Sequence, residues 1–139
     1  MHCLTDYDIK LLVALNESLR GHRQCTDFFI NNGYPELAAL SLAIQSDTDA
    51  LQWLFDNGYP EFGVLSNAID GEELAIAWLQ KYHLDFLSVF AAACRQETPA
   101  IRFFVENNLK VYIFLINTIQ ELLIQQSWDA DDIHKIRRS

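Results

Sequence analysis

The residues able to do chemistry in this chain are few, and they are scattered. There are four histidines, His2, His22, His83 and His134, and three cysteines, Cys3, Cys25 and Cys94. A metal ion needs several such side chains converging on one point, and no metal-site spacing emerges from these positions. A nucleophilic cysteine needs a base and an orienting group beside it, and the sequence offers neither. Carboxylate pairs occur at Asp47 with Asp49 and at Glu72 with Glu73. They fall at turns and helix starts, where capping and solvation account for them. The chain has no glycine-rich phosphate loop and no basic patch interleaved with aromatic residues. The expectation is a protein without a catalytic residue, bound metal or cofactor. An enzyme that uses carboxylates in a groove is the rival reading.

Charge says more than chemistry does. The 139 residues carry a net charge of −9. From Gln24 to Gln80 there is no Lys or Arg, and that stretch holds Asp27, Glu36, Asp47, Asp49, Asp56, Glu61, Asp70, Glu72 and Glu73. The remaining ten acids and ten bases cancel. A surface of this kind repels nucleic acid and anionic lipid and attracts a basic protein. No apolar run is long enough to span a bilayer, since Val111 to Ile116 is soon interrupted by Asn117 and Thr118. The sequence Met1-His2-Cys3-Leu4-Thr5-Asp6 has neither the basic nor the apolar region of a secretory signal. Three unpatterned cysteines suit a reducing compartment, so the expected location is the cytoplasm.

The elements that position these residues are set by an internal repeat. Asn-Gly-Tyr-Pro-Glu occurs at Asn32 to Glu36 and again, 25 residues on, at Asn57 to Glu61. Apolar columns keep the same offset: Leu12, Leu37, Phe62, Leu87, Tyr112; Leu15, Leu40, Leu65, Phe90, Leu115; and Leu19, Ile44, Ile69, Cys94, Ile119. Within a unit they stand at i, i+3 and i+7, which is one buried face of a helix. A second helix follows a short polar turn, with apolar residues at i, i+1, i+3 and i+4, as in Ala50, Leu51, Trp53 and Leu54. Asp47 or Thr48 caps it, and Thr98-Pro99 is a cap followed by proline at the first helical position. Gly33 and Gly58 end it in a left-handed conformation, and His83 stands in the same place as a turn residue. Pro35 and Pro60 open the next first helix, with Glu36 and Glu61 in its first turn. The tryptophans Trp53, Trp78 and Trp128 share one column and read as core.

Paired helices joined by glycine-containing turns, with alanine-rich first helices, resemble ankyrin repeats. The unit is about eight residues shorter than the 33 of that family. At the place of the family's Thr-Pro-Leu-His this chain has Tyr34-Pro35-Glu36-Leu37 and Tyr59-Pro60-Glu61-Phe62. The resemblance implies hairpins without the β-turn finger, and protein binding across the concave face of the first helices.

The expected fold is an all-α solenoid of about five short helix-turn-helix repeats in a single domain, residues 1–139. The units are Tyr7–Asn31, Asn32–Asp56, Asn57–Lys81, Tyr82–Glu106 and Asn107–Asp131, with degraded end units acting as caps. Small residues Ala38, Gly63 and Ser88 either let first helices approach closely or line a shallow groove. Tyr34 and Tyr59 are either staples packed on their own helices or interface anchors. The expected function is a non-catalytic protein-binding module that holds a basic partner. Its binding residues are Tyr34, Glu36, Asp47, Asp49, Tyr59, Glu61, Asp70, Glu72 and Glu73. A small neutralising protein, such as an inhibitor or immunity protein, is one concrete version, and a self-associating structural unit is a further alternative.

Overall fold

In a computed structural model, the backbone is described for residues 1–138 and the side chains for residues 1–129. Every regular element among them is helical. A 3-10 turn at Leu4–Asp6 precedes α1 (Ile9–Leu19), α2 (Arg23–Asn31), α3 (Pro35–Ile44), α4 (Thr48–Asp56), α5 (Pro60–Ile69), α6 (Glu73–Lys81), α7 (Asp85–Cys94), α8 (Thr98–Glu106) and α9 (Lys110–Arg138). The helix starts follow the sequence offset. Pro35, Pro60, Asp85 and Lys110 are each 25 residues after the last, as are Arg23, Thr48, Glu73 and Thr98.

The odd-numbered helices form an inner layer. α1 packs on α3, α3 on α5, α5 on α7 and α7 on α9, and α9 then packs back on α1. The even-numbered helices form an outer layer, each lying on two successive inner ones. All three apolar columns, from Leu12 to Ile119, are buried in this arrangement. Closure of α9 on α1 fills the axis with these side chains, so the inner helices do not frame an open concave groove. The small residues serve the other face of the inner layer. A Cβ added at Gly63 would meet the Phe55 ring of α4 at 2.7 Å, so this column makes room for an outer helix.

The turns explain why the helices are so evenly cut. Each of the eight helix-to-helix junctions has one residue in the left-handed region: Gly21, Gly33, Ser46, Gly58, Gly71, His83, Gln96 and Asn108. After each, the next backbone N–H donates back across the helix end, as in Tyr34 to the Phe29 carbonyl at 2.8 Å and Glu97 to the Ala92 carbonyl at 3.1 Å. This bond is the closing contact of a glycine-type helix stop. Four of the eight positions lack glycine, and a Cβ there costs about 1–2 kcal/mol. Ser46→Gly, His83→Gly and Gln96→Gly are each expected to stabilise the fold by about 0.5–1 kcal/mol, after allowing for the looser unfolded chain. Asn108→Gly is expected to gain less, because asparagine tolerates this conformation. Midpoints of urea unfolding check the series.

Three expectations need correction. The fifth unit does not turn, and α9 runs on as one helix of 29 residues. Where the second unit reads Gln45-Ser46-Asp47-Thr48, the fifth reads Gln120-Glu121-Leu122-Leu123, with no cap and no turn residue to stop it. The helix at Thr98-Pro99 begins one residue earlier than expected, with Glu97 as its N-cap. The tryptophan column is the edge of the buried face rather than its centre. Trp53 and Trp78 are half-buried and Trp128 is 62% exposed, while the fully buried outer-helix column is one residue on, at Phe29, Leu54, Leu79 and Phe104. Outer helices touch the inner layer with one face only, and a stripe centred on Ala50 and Leu54 leaves Trp53 at its border. Trp53 stacks on Tyr59, with ring centroids 6.0 Å apart, and Trp78 tilts over Tyr82 at 4.6 Å.

Candidate functional site

The nine residues expected to bind a partner separate into two groups at opposite ends of the inner helices. Asp47, Asp49, Asp70, Glu72 and Glu73 lie where inner helices end and outer helices begin. All five are exposed. They occupy two successive turns, between α3 and α4 and between α5 and α6, and together form an acidic rim. Asp47 also accepts the Ala50 N–H at 3.1 Å as the N-cap of α4. Asp49 and Glu73 sit in the first turns of α4 and α6, where a carboxylate complements the helix dipole.

Asp70 is the exception within the rim. Although solvent reaches the residue, its carboxyl is held above its ordinary value, first by partial desolvation and then by the like charge of Glu72. The same position on neighbouring helices carries a donor that reaches the preceding inner helix. Gln45 Nε2 donates to the Ser18 carbonyl at 3.2 Å, Arg95 Nη1 to the Ala68 carbonyl at 2.7 Å and Gln120 Nε2 to the Ala93 carbonyl at 2.9 Å. Each bond spans 27 residues, and an ionised Asp70 has no proton with which to continue the series. Because folding raises this pKa, the folded state holds the proton more tightly. Stability from this group therefore falls as pH rises from the ordinary value of 3.8 through the raised one. Asp70→Gln is expected to stabilise the fold by about 0.5–1.5 kcal/mol at neutral pH through the restored donor. It should also flatten the unfolding midpoint across that pH window, which chemical denaturation at a series of pH values would measure.

Tyr34, Glu36, Tyr59 and Glu61 lie at the other end, where α3 and α5 begin. Glu36 and Glu61, expected on the surface, are buried, Glu61 to 2% exposure. The cause is the segment from His2 to Tyr7, which crosses this end of the inner layer. The backbone N–H of His2 donates to Glu61 Oε1 at 3.2 Å, and the His2 ring Nδ1 lies 2.7 Å from the same oxygen. The Tyr7 hydroxyl donates to Glu36 Oε1 at 2.9 Å. Leu4 is buried between these two attachments. The rings of His2 and Tyr59 approach to 4.6 Å, and Tyr59 stacks in turn on Phe62. Tyr7 packs edge-on against Tyr34 at 6.4 Å. Burial first, and then the hydrogen bond to Glu36, hold the Tyr7 hydroxyl well above the usual phenol range. Burial and the Glu36 charge raise Tyr59 as well. Both phenols therefore stay protonated, and that of Tyr7 donates to Glu36. The two glutamates serve as anchors for the crossing segment, and Tyr59 is packed between Trp53 and Phe62.

That crossing segment left no signal among the repeat columns, because it lies outside them. A second group that the sequence concealed is a buried hydroxyl cluster. Ser18 Oγ meets Thr26 Oγ1, and meets Ser41 Oγ at 2.7 Å, with Gln45 Nε2 donating to Ser41 Oγ at 3.0 Å. These bonds tie α1, α2 and α3 together and leave no polar atom free for chemistry.

The thiols differ in exposure. Cys94 is buried, and burial pushes its thiol far above the ordinary cysteine range, which keeps it protonated and inert. Cys3 and Cys25 are half-buried and free. His83 is an exposed turn residue with φ 54°. His22 pairs with Glu17 across an adjacent turn at 2.7 Å. His134 lies outside the described side chains. Among the described residues, no three His, Cys, Asp or Glu side chains gather as a metal site would require. No helix of the described residues is long and apolar enough to cross a membrane. No protein-family model, curated protein or solved structure matches this chain.

Proposed function

We propose that this chain is a solenoid of 25-residue helical hairpins, ankyrin-like in its pairing of inner and outer helices. In this reading it is a non-catalytic binding module that holds a basic protein on its acidic rim. The observation that carries it is the placement of Asp47, Asp49, Asp70, Glu72 and Glu73 on two neighbouring turns, all exposed, within a stretch free of Lys and Arg. Like charges gathered so closely repel one another, and a cationic partner relieves that repulsion. Rim charges of this kind speed encounter and select partners by sign. A small acidic protein covering the cationic face of its target is the form that a cytoplasmic inhibitor or immunity protein would take.

The test is capture from the source cell by the tagged chain and by a variant with Asp47→Asn, Asp49→Asn, Glu72→Gln and Glu73→Gln. These changes keep side-chain size and remove four charges. A basic protein retained by the parent, released by salt and lost by the variant is the expected result. A partner held equally by both proteins at low salt would remove the rim from the interface.

A further inference from the structure

The inner layer presents five grooves between neighbouring helices, and four of them are covered. α2 lies on α1 and α3, α4 on α3 and α5, α6 on α5 and α7, and α8 on α7 and α9. The fifth groove, between α9 and α1, has no outer helix among the described residues, because the chain continues α9 where another unit would turn. It is open to solvent as a space of about 630 Å³, and its lining includes Ile9, Val13, Lys110, Val111, Tyr112 and Phe114.

Positions 25 residues apart show how bare it is. Val13 corresponds to Ala38 and Gly63, which lie beneath outer helices. Ala38 is 2% exposed and Val13 is 50% exposed. Phe114 corresponds to Ala39 and Val64. Val64 is 9% exposed and Phe114 is 62% exposed. Two large apolar side chains thus stand open where their counterparts are covered. The molecule also shows, four times over, what fits such a groove. Each outer helix has nine residues, and three of them bury a small residue with a large one four positions later: Ala50 and Leu54, Ala75 and Leu79, Ala100 and Phe104, while α2 has half-buried Cys25 ahead of buried Phe29.

Charge decides between occupants. Lys110 is the one charged residue lining the groove, and it has no ion-pair partner among the described residues. The start of α9 brings a positive dipole end to the same place, while that of α1 is already capped by the Asp8 carboxylate. Because a hairpin reverses direction, an outer helix ends beside the start of an inner one, so a carboxylate near the end of a guest helix would meet Lys110. A second copy of the chain is opposed by the −9 charge that each copy carries.

We infer that the α1–α9 groove is a docking site for one amphipathic helix of a partner protein. That helix runs antiparallel to α1, carries a small-x-x-x-large apolar pair and bears an acid at its C-terminal end. The site is separate from the acidic rim.

The probe is a hydrocarbon-stapled peptide with the sequence of α4, Thr48 to Asp56, which has the small-large pair and ends in aspartate. Titration into the intact protein is expected to give saturable binding with chemical-shift changes at Val13 and Phe114. Val13→Asp and Phe114→Asp should each weaken it at least about tenfold, the loss expected when a buried apolar contact is replaced by a charge. Lys110→Glu should weaken it less, and the fourfold rim variant should leave it unchanged. Both apolar positions are exposed, so the variants are expected to keep the parent unfolding midpoint. If Val13→Asp unfolds, Phe114→Asp alone decides. No saturable binding at millimolar peptide would overturn the inference, as would binding that Phe114→Asp leaves intact. A concentration-dependent dimer abolished by Phe114→Asp in sedimentation would assign the groove to a second copy and overturn it equally.

Discussion

Phe104→Ala is expected to destabilise the protein by about 3–5 kcal/mol, whereas Trp128→Ala should change stability by no more than about 0.5 kcal/mol. Phe104 is fully buried and packs against Phe86 and Phe90 of α7 and Tyr112 of α9, so it joins the outer helix α8 to an inner helix and to the closing helix α9. Removing its ring opens a cavity that three rigid helices cannot collapse to fill. Trp128 has its ring largely in solvent. A domain of ordinary stability has about 5–15 kcal/mol in total, so the first change removes a large share of it. Paired urea titrations of the two variants check the difference. Equal losses would mean that the tryptophan column, and not the one beside it, faces the core.

Glu61→Lys is expected to leave little folded protein, with a cost of about 3–5 kcal/mol or more. The new ammonium would be buried at the first turn of α5, facing the positive end of the helix dipole and losing both bonds to His2. Asp49→Lys, in the first turn of α4, loses only an exposed carboxylate near a dipole, worth below about 1 kcal/mol. Circular dichroism with thermal melting separates the two. Reversal that is tolerated equally at both sites would place Glu61 in solvent and detach the segment from His2 to Tyr7. For the same reason, tests of acidic binding belong on Asp47, Asp49, Glu72 and Glu73 and not on Glu36 or Glu61.

Much of the helical framework was legible in the sequence because it rests on local rules repeated in register. Proline at a helix start, glycine at a helix stop and apolar spacing of i, i+3 and i+7 act within one unit. They set helix bounds to within a residue or two, as at Pro35–Ile44. Three features were not legible. Whether α9 meets α1 depends on the small rotation between successive units, which no single residue encodes. Which side of an outer helix is buried could not be told from a run such as Ala50-Leu51-Gln52-Trp53-Leu54, where apolar residues span more than half a turn. The burial of Glu36 and Glu61 depends on His2 and Tyr7, which lie 59 and 29 residues away from their partners. Glutamate at a helix start reads the same whether water or a hydroxyl satisfies it. Of the candidate site, the sequence supplied the acids, and the fold sorted them into an exposed rim and buried anchors.

Closure of the inner layer underlies the whole functional reading, since it removes the concave groove and leaves the rim and the α1–α9 groove as surfaces for partners. It is tested most directly by the distance between spin labels on Lys10→Cys and Lys110→Cys, with Cys3 and Cys25 replaced by serine and the buried Cys94 retained. Both lysines are exposed, at the starts of α1 and α9. If α9 packs on α1, the helix axes are one packing distance apart, about 8–10 Å, and the labels should couple at close range. An open row of five inner helices would separate the same two axes by four such spacings, about 30–40 Å, and a distance in that range would contradict the account.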